Sequence, residues 1–481
     1  PEVAHIRTLI EKPRGKQEIF HWHEHCADLG TDFQTAPVEV LWIAGRFNDV
    51  QAINIYEAVR SLVWRTLHDA IGMRIERATT YGVIEEWGDA DLDRYATEGV
   101  PKLLDAGIKT IMVPNHFQNN MNTWGVSNMC CTVDYIFHDK AGMKRLADAV
   151  HAGGARFEMW GNTSISTLTL IFDKPDGAPK RIDFLPRAGS IMDRLGDSPW
   201  VRNASGAIEA DHYTPVFAVL NLRDPQVRAY WHECWRAARE EVGLDVIFLD
   251  SSFNLSSDKF HYAYNPHSER AGGTIDQVEL LTNVRPAQEP PAAIQSQYRA
   301  HLDLMADMQQ YGYVYCGEDN GIFGISRSGP ATTFRLDNLF MWMECLAVFD
   351  PAAIEAAGAE PADVFFKGLA YRMVWTVYWN IKYNTLSFAY CTDDDIIPVT
   401  EWHTALFKAF NQVNDLMIDR EVLPGEVGVM YAAPEAGDSA RVVWAFEDFD
   451  LPVESGAAIT DVLTGETQDH RAHKYHVYLI R

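Results

Sequence analysis

Residues 220–253 of this chain read LNLRDPQVRAYWHECWRAAREEVGLDVIFLDSSF, a predicted helix followed by a short apolar strand. Pro225 falls in the first turn of the helix, where a proline leaves no hydrogen bond unmade, and the helix is expected to run to Glu241. The next run, LDVIFLD (244–250), is short, apolar and rich in residues typical of a buried strand. A helix that leads directly into such a strand is typical of a parallel sheet covered by helices.

The same alternation of short strands and amphipathic helices extends over residues 76–421 and predicts a (β/α)8 TIM barrel. Helices are expected at 91–106, 140–152, 225–241 and 294–310. The first five strands are carried by RATTYGVIEEW (77–87), IKTIMVPNH (108–116), ARFEMWGN (155–162), LDVIFLD (244–250) and YVYCGED (313–319).

The second half of the barrel is less regular. The runs FRLDNLFMW (334–342) and CLAVF (345–349) fit either a sixth strand or a helix. Residues 365–379 are predicted to be helical and TLSFAY (385–390) to be strand eight, which leaves strand seven without an assignment.

Both ends of the chain differ from this pattern. Beyond Arg420, short alternating runs separated by Pro, Gly and Asp predict a C-terminal antiparallel β domain, sandwich-like, over residues 422–481. Residues 1–75 are interpreted as an N-terminal segment, the end of a β domain followed by a linker helix near residues 49–70.

The composition of the chain argues against some classes of binding partner. The chain has 481 residues, of which 67 are acidic and 41 basic, and its formal net charge of −26 would repel nucleic acid and anionic membrane surfaces. No run reaches the roughly 20 apolar residues that cross a bilayer. Seven cysteines are few for 481 residues and odd in number, which favours reduced thiols and a cytoplasmic protein. The sequence leaves both a monomer and a homo-oligomer open, and no cofactor is expected.

Polar residues end all five of the assigned strands. In a TIM barrel the carboxyl ends of the strands meet at one open face, so such residues are the first candidates for a functional site. They are Glu85, Glu86 and Trp87 after strand one, Asn115 and His116 after strand two, Trp160 and Asn162 at strand three, Asp250 after strand four, and Glu318 and Asp319 after strand five.

Two of these carboxylates suit glycoside hydrolysis, which needs a pair of carboxyl groups facing each other across the scissile bond. Asp250 would be held by a rigid strand, as a nucleophile requires, although Asp after a strand also serves in turns. Glu318 could have its pKa raised enough to act as an acid, or could form an ion pair at the rim. Asp319 is the nearest alternative acid, and Asp337, with Arg335 two residues before it, is a third candidate carboxylate.

A sugar ligand also needs flat apolar faces and planar polar side chains. Each candidate alone is more often a loop anchor or a core residue, but together they favour a polyhydroxylated substrate. The candidates are Glu86, Trp87, Asn115, His116, Trp124, Trp160, Asn162, Trp200, Phe253, Asp319 and Arg335.

A competing interpretation comes from residues 21–26, HWHEHC. If this segment is extended, His21, His23 and His25 share one face, and an H-x-H pair on a first barrel strand would indicate a metal-dependent hydrolase. An exposed or hydrogen-bonded β face explains the pattern equally, and later strand ends offer only His116 as a further imidazole. The other alternative is a barrel that binds carbohydrate without catalysis.

Residues 220–253 resemble the corresponding segment of retaining α-glycosidase barrels, the α-galactosidase and α-glucosidase-like clans. There, a helix start of the form D/N-l-x-x-P-x-V-R, here NLRDPQVR (221–228), precedes a strand that ends in the nucleophilic Asp. The resemblance extends loosely from about residue 42 to 465 and includes SPWVRNASG (198–206) and DVLTGE (461–466). It implies a retaining α-glycosidase with Asp250 as nucleophile, and placement of the acid one strand later, as in the α-amylase superfamily, implies Glu318.

Overall fold

A computed structural model describes part of the chain. The described residues are 5–11, 18–24, 65, 68–69, 71–73, 79–84, 91–113, 140–161, 165–167, 170–172, 181–183, 195, 217–222, 224–249, 297–317, 328–329, 346–391, 393–418, 420–433, 440–453 and 456–481.

The N-terminal segment contains an antiparallel pair of strands, β1 (His5–Glu11) and β2 (Glu18–Glu24). In this pair the backbone of His21 lies opposite Thr8, and that of His23 lies opposite Ile6. The segment is therefore extended, as the metal interpretation requires. However, β2 pairs with β1 in an antiparallel sheet of its own and is not a strand of the parallel sheet, where an H-x-H pair would indicate a metal site.

Within the described residues, eight parallel strands form the central sheet. In chain order they are β3 (Tyr81–Val83), β4 (Thr110–Val113), β5 (Arg156–Gly161), β10 (Val246–Leu249), β11 (Val314–Gly317), β12 (Ser328–Gly329), β13 (Leu346–Ala347) and β14 (Val374–Asn380). Their spatial order is β11-β10-β5-β4-β3-β14-β13-β12, so the last strand pairs with the first. This ring-like order resembles that of a TIM barrel. A pairing of β11 with β12, which would close the ring, is not among the strand pairings of the described residues.

Four short strands fall in the long segment between β5 and β10. They form two antiparallel pairs, β6 (Ile165–Thr167) with β9 (Phe217–Val219) and β7 (Leu170–Phe172) with β8 (Arg181–Asp183). The segment is therefore an insertion at the carboxyl end of β5, where barrel enzymes carry their functional loops.

The structure corrects the assignment of the last strands. Residues 365–379 are not one helix, because a helix ends at Ala370 and the strand β14 begins at Val374. TLSFAY is not strand eight, since β15 (Thr385–Ser387) pairs antiparallel with β14 and continues the sheet as a hairpin. CLAVF contains β13, the seventh of the parallel strands.

The helices of the barrel include the four predicted at 91–106, 140–152, 225–241 and 294–310, each within a few residues of its expected bounds, and three further helices after residue 350. They are α1 (Leu92–Arg94), continued by the π-helix Tyr95–Gly99 into α2 (Val100–Asp105), then α3 (Lys140–Ala152), α4 (Pro225–Ala237), continued by the π-helix Ala238–Val242, α5 (Gln297–Gln309), α6 (Pro351–Ala356), α7 (Pro361–Ala370) and α8 (Glu401–Val413). Asp224 caps α4 by accepting a hydrogen bond from the backbone N–H of Gln226, 2.8 Å away. None of the described helices is both long and apolar enough to cross a membrane.

Alternating residues of the parallel strands face two different hydrophobic clusters. Ile111, Phe157 and Ile247 belong to the large cluster that also contains buried residues of the surrounding helices. The opposite face contributes to a smaller cluster of Tyr81, Val83, Val246, Phe248, Leu346, Val374 and Cys391, which we call the interior cluster. Because successive strand residues point to opposite faces, cluster membership tells which positions face the interior.

The C-terminal region forms the predicted antiparallel sheet. Its five strands, in the spatial order β16-β17-β18-β22-β20, are β16 (Glu421–Pro424), β17 (Gly428–Ala432), β18 (Arg441–Ala445), β20 (Ile459–Asp461) and β22 (Val477–Ile480). A further pair consists of β19 (Phe449–Asp450) and β21 (Arg471–Ala472). The predicted boundaries at residues 75/76 and 421/422 stay predictions.

The C-terminal sheet packs on α7. The Tyr431 hydroxyl donates to the carbonyl of Ala370 at 2.7 Å, and the Tyr475 hydroxyl donates to Asp363 Oδ1 at 2.6 Å. Phe366 packs its ring against Trp444 with centroids 5.2 Å apart. These contacts join the sheet to the helix that precedes the eighth parallel strand.

A buried histidine in α8 is expected to make the protein sensitive to acid. His403 packs against Phe365, with ring centroids 4.5 Å apart, and Nδ1 accepts a hydrogen bond from the Thr400 backbone N–H at 3.1 Å. Burial lowers the pKa of His403 to about 4. The unfolded chain takes up the proton near pH 6.5, so stability is lost as the pH falls from about 6.5 toward 4.

We expect about 2 kcal/mol of stability to be lost through this one group between pH 7.5 and 5. His403→Gln keeps an acceptor at the third position of the helix and removes the titration. Urea unfolding followed by circular dichroism at both pH values should show that the variant gains about 2 kcal/mol of stability relative to wild type when the pH is lowered from 7.5 to 5. Equal pH dependence of the two proteins would contradict the expectation.

Candidate active site at the carboxyl ends of the parallel strands

Three neighbouring strands end at the same level. Leu249, the last residue of β10, is the Cα partner of Gly161 in β5 on one side and of Gly317 in β11 on the other. All three strands are parallel, so the chain leaves the sheet at one edge after each of them. The residues that follow directly in sequence are Asp250, Asn162 and Glu318.

Of the residues predicted for a carbohydrate site, the structure describes the backbone of one. Trp160 lies in β5, opposite Phe248 of β10. The others lie outside the described residues: Glu85, Glu86, Trp87, Asn115, His116, Trp124, Asn162, Trp200, Asp250, Phe253, Glu318, Asp319, Arg335 and Asp337. Their predicted roles therefore stay predictions.

A buried carboxyl group, which the sequence analysis did not single out, lies below this edge. Glu158 of β5 is 1% exposed, and Oε1 accepts a hydrogen bond from the Tyr81 hydroxyl at 2.5 Å. The Tyr81 hydroxyl also lies 3.0 Å from Sδ of Met112. Glu158 is the Cα partner of Val246, a residue of the interior cluster, so this acid lies among apolar interior residues.

Burial raises the pKa of Glu158 to about 8, and the hydrogen bond from Tyr81 only partly offsets this effect. Glu158 is therefore mostly protonated at neutral pH. It lies three residues before Gly161, the last residue of β5. A charged residue in the middle of the apolar run RFEMW was the signal in the sequence that could have revealed it.

Two tyrosines lie at the carboxyl end of the eighth parallel strand. Tyr378 of β14 is half-buried and packs against the interior cluster. Tyr390, shortly after β15, is also half-buried, and its ring centroid lies 5.5 Å from that of Tyr378 at an interplanar angle of 57°. The thiol of the next residue, Cys391, is fully buried and lies 3.8 Å from the carbonyl oxygen of Val83. The segment after β15 therefore returns to the interior.

Among the side chains that the structure describes, no three His, Cys, Asp or Glu residues lie close enough together to hold a metal ion.

Comparisons with known proteins gave structural matches only. No protein-family model matches the chain, and no curated protein sequence matches it. An α-amylase from Anoxybacillus is 10% identical, with a TM-score of 0.45 over 84% of this chain and 99% of that chain. An α-amylase from Geobacillus thermoleovorans, complexed with acarbose, is 9% identical, with a TM-score of 0.48 over 84% of this chain and 99% of that chain.

A GH36 α-galactosidase from Geobacillus stearothermophilus, in complex with stachyose, is 10% identical, with a TM-score of 0.48. The match covers 90% of this chain and 59% of that chain, so this chain spans somewhat more than half of that α-galactosidase. The structural resemblance of this chain is thus to α-amylases and α-galactosidases, and it is remote.

Proposed function

We propose that the chain is a glycoside hydrolase that cleaves an α-glycosidic bond with retention of configuration, with Asp250 as nucleophile and Glu318 as acid and base. The observation that carries the proposal is the register of β10 with β11. Because Leu249 and Gly317 are paired, Asp250 and Glu318 directly follow positions that lie side by side in the sheet.

The alternation of the strands supports an inward direction for both side chains. Val246 and Phe248 belong to the interior cluster, and Val314 packs against it. Asp250 lies two residues after Phe248, and Glu318 lies four residues after Val314. If the same alternation continues, both carboxyl groups would be directed toward the interior side of the open end.

The separation of the strands favours retention. Neighbouring strands lie about 4.8 Å apart, and retaining enzymes hold their two carboxyl groups about 5–5.5 Å apart, whereas inverting enzymes need about 6.5–9.5 Å. Asp250 would attack the anomeric carbon while Glu318 protonates the leaving oxygen. Glu318 would then take a proton from the water that attacks the glycosyl ester and releases Asp250.

The same alternation ranks the proposed substrate contacts. Trp160 and Asn162 share the parity of Glu158, and His116 shares that of Met112, which packs against the interior cluster. Ile84 belongs to the large cluster on the helix side of the sheet. Alternation therefore favours Glu85 over Glu86 as the carboxylate that faces the interior. Asn115 and Asp319 have the outward parity. The sequence alone supports four further proposed substrate contacts, Trp87, Phe253, Arg335 and Asp337. The proposed cytoplasmic location also rests on the sequence alone.

We also propose that the eight parallel strands form a closed barrel. The pairing of β14 with β3 joins the last strand to the first, so that one junction, between β11 and β12, would complete the ring. An open doubly wound sheet would not pair its last strand with its first.

The function is tested with a panel of aryl α- and β-glycosides, with the anomeric configuration of the first product followed by NMR. We expect release of the aryl group from an α-glycoside, with the α-anomer of the sugar formed first. A first-formed β-anomer would indicate inversion. Hydrolysis of β-glycosides alone would contradict the α assignment, and binding without turnover would favour a non-catalytic carbohydrate-binding barrel.

A further inference from the structure

We propose that Tyr378 and Tyr390 form an aromatic wall of the substrate pocket, on which the ring of a bound sugar stacks. This inference rests on the proposed function and adds a binding element from the eighth strand. It predicts a role in substrate affinity for two residues of one hairpin that lie far in sequence from the proposed carboxylates.

The position of Tyr378 supports this role. Tyr378 is the Cα partner of Val83, and both residues lie on the face of the sheet that carries the interior cluster. Along the sheet, β14 is four strands from β10, the strand before Asp250. In a closed ring of eight strands, four steps reach the opposite wall. A sugar attacked by Asp250 would therefore lie between that carboxylate and the tyrosines.

The burial of the two rings sets them apart from their neighbours. Val374 is 3% exposed and Cys391 is fully buried, whereas Tyr378 and Tyr390 are both half-buried. The interior cluster therefore holds Tyr378 at its base while part of the side chain stays accessible. Such rings are anchored and cost little conformational entropy when a ligand binds.

The mutual geometry of the rings also suits a sugar. In a pair tilted by 57°, the two rings are not stacked face to face, so the pair itself does not cover both faces. The C–H groups of a pyranose pack on an aromatic face, and this contact does not need the phenolic hydroxyl. The ligand class is therefore a neutral, polyhydroxylated ring.

The test compares ring removal with a matched control on the same hairpin. Tyr378→Ala and Tyr390→Ala remove the rings, Tyr378→Leu keeps apolar volume if the alanine variant does not fold, and Tyr378→Phe keeps the face. Tyr383→Ala is the control, because Tyr383 is 48% exposed and packs against Lys382, with Nζ 5.1 Å from its ring centroid. All variants are assayed with p-nitrophenyl α-D-galactoside and p-nitrophenyl α-D-glucoside.

We expect KM to rise about tenfold in the Ala and Leu variants, with kcat changed less than about threefold, and Tyr378→Phe and Tyr383→Ala to stay near wild type. An unchanged KM in the Ala and Leu variants, or an equal rise in Tyr383→Ala, would overturn the inference while the hydrolase assignment stands. If the wild type turns over neither substrate, binding of stachyose and of maltotetraose is measured by calorimetry. Weaker binding in Tyr378→Leu supports the aromatic wall, and equal binding or none in the wild type overturns it.

Discussion

Asp250→Asn is expected to lower kcat toward an aryl α-glycoside by roughly 10³-fold or more, because an amide cannot form the covalent glycosyl intermediate. Substrate affinity should change little, since the side chain keeps its size. The measurement is kcat and KM of the purified variant beside wild type. Asp469→Asn, at an exposed position in the C-terminal region, serves as the matched control and should leave both constants unchanged.

A small anion gives a second, independent readout of the same role. Asp250→Gly leaves space for azide, which should attack the anomeric carbon of an activated aryl α-glycoside and displace the aryl group. The product is a β-glycosyl azide, because one displacement inverts the configuration. Retained activity in Asp250→Asn, together with no glycosyl azide from Asp250→Gly, would exclude Asp250 as the nucleophile and direct attention to the other candidate carboxylates.

The second large effect is expected on stability rather than on turnover. Burial raises the pKa of Glu158 to about 8, whereas the group in the unfolded chain titrates near 4.5. The contribution of neutral Glu158 to the free energy of unfolding is fully present below pH 4.5. It is lost as the pH rises toward 8, because the unfolded chain releases a proton that the folded protein keeps. Between pH 5 and 7.5 this amounts to roughly 3 kcal/mol.

Glu158→Gln tests this directly, because the amide oxygen can still accept the hydrogen bond from Tyr81 but cannot ionise. We expect the stability of the variant relative to wild type to increase by roughly 3 kcal/mol between pH 5 and 7.5. Urea unfolding at both pH values measures this difference. Glu426→Gln, in an exposed turn, is the control and should show no such change. Parallel pH dependences of Glu158→Gln and wild type would mean that Glu158 is ionised in the folded protein.

The remaining predictions act on separate parts of the molecule. His403 lowers the stability as the pH falls from about 6.5 toward 4, and Glu158 lowers it as the pH rises from about 4.5 toward 8, so the two effects have opposite signs over the same pH range. Tyr378 and Asp250 separate affinity from chemistry, since one is expected to change KM and the other kcat. Confirmation of either stability effect would support the described core independently of any catalytic assignment.

The first five parallel strands and their helices could be predicted from the sequence because their signals are local. The run LDVIFLD has the length and composition of a buried strand, and Pro225 after Asp224 indicates where the preceding helix begins. The C-terminal antiparallel sheet was predicted correctly for the same reason. The alternation within its short runs and the turn residues between them do not depend on distant contacts.

The eighth strand was missed because the boundary before it carries no local stop signal. The helix α7 ends near Arg372, which adopts a positive φ of 62°, a conformation that glycine usually supplies. The sequence therefore reads as one apolar and aromatic segment from Phe365 to Trp379. Pairing of β14 with β3, almost 300 residues earlier in the chain, decides that its second half is a strand.

For the candidate site, the sequence by itself determined which polar residues follow the apolar strands, because each strand and the residue after it are adjacent in the chain. The tertiary structure alone decided that the strands before Asp250 and Glu318 end side by side, that Tyr378 and Tyr390 come together, and that burial raises the pKa of Glu158. Register, ring packing and desolvation all depend on residues from distant parts of the chain, such as Tyr81, which lies 77 residues before Glu158. No local pattern contains that information.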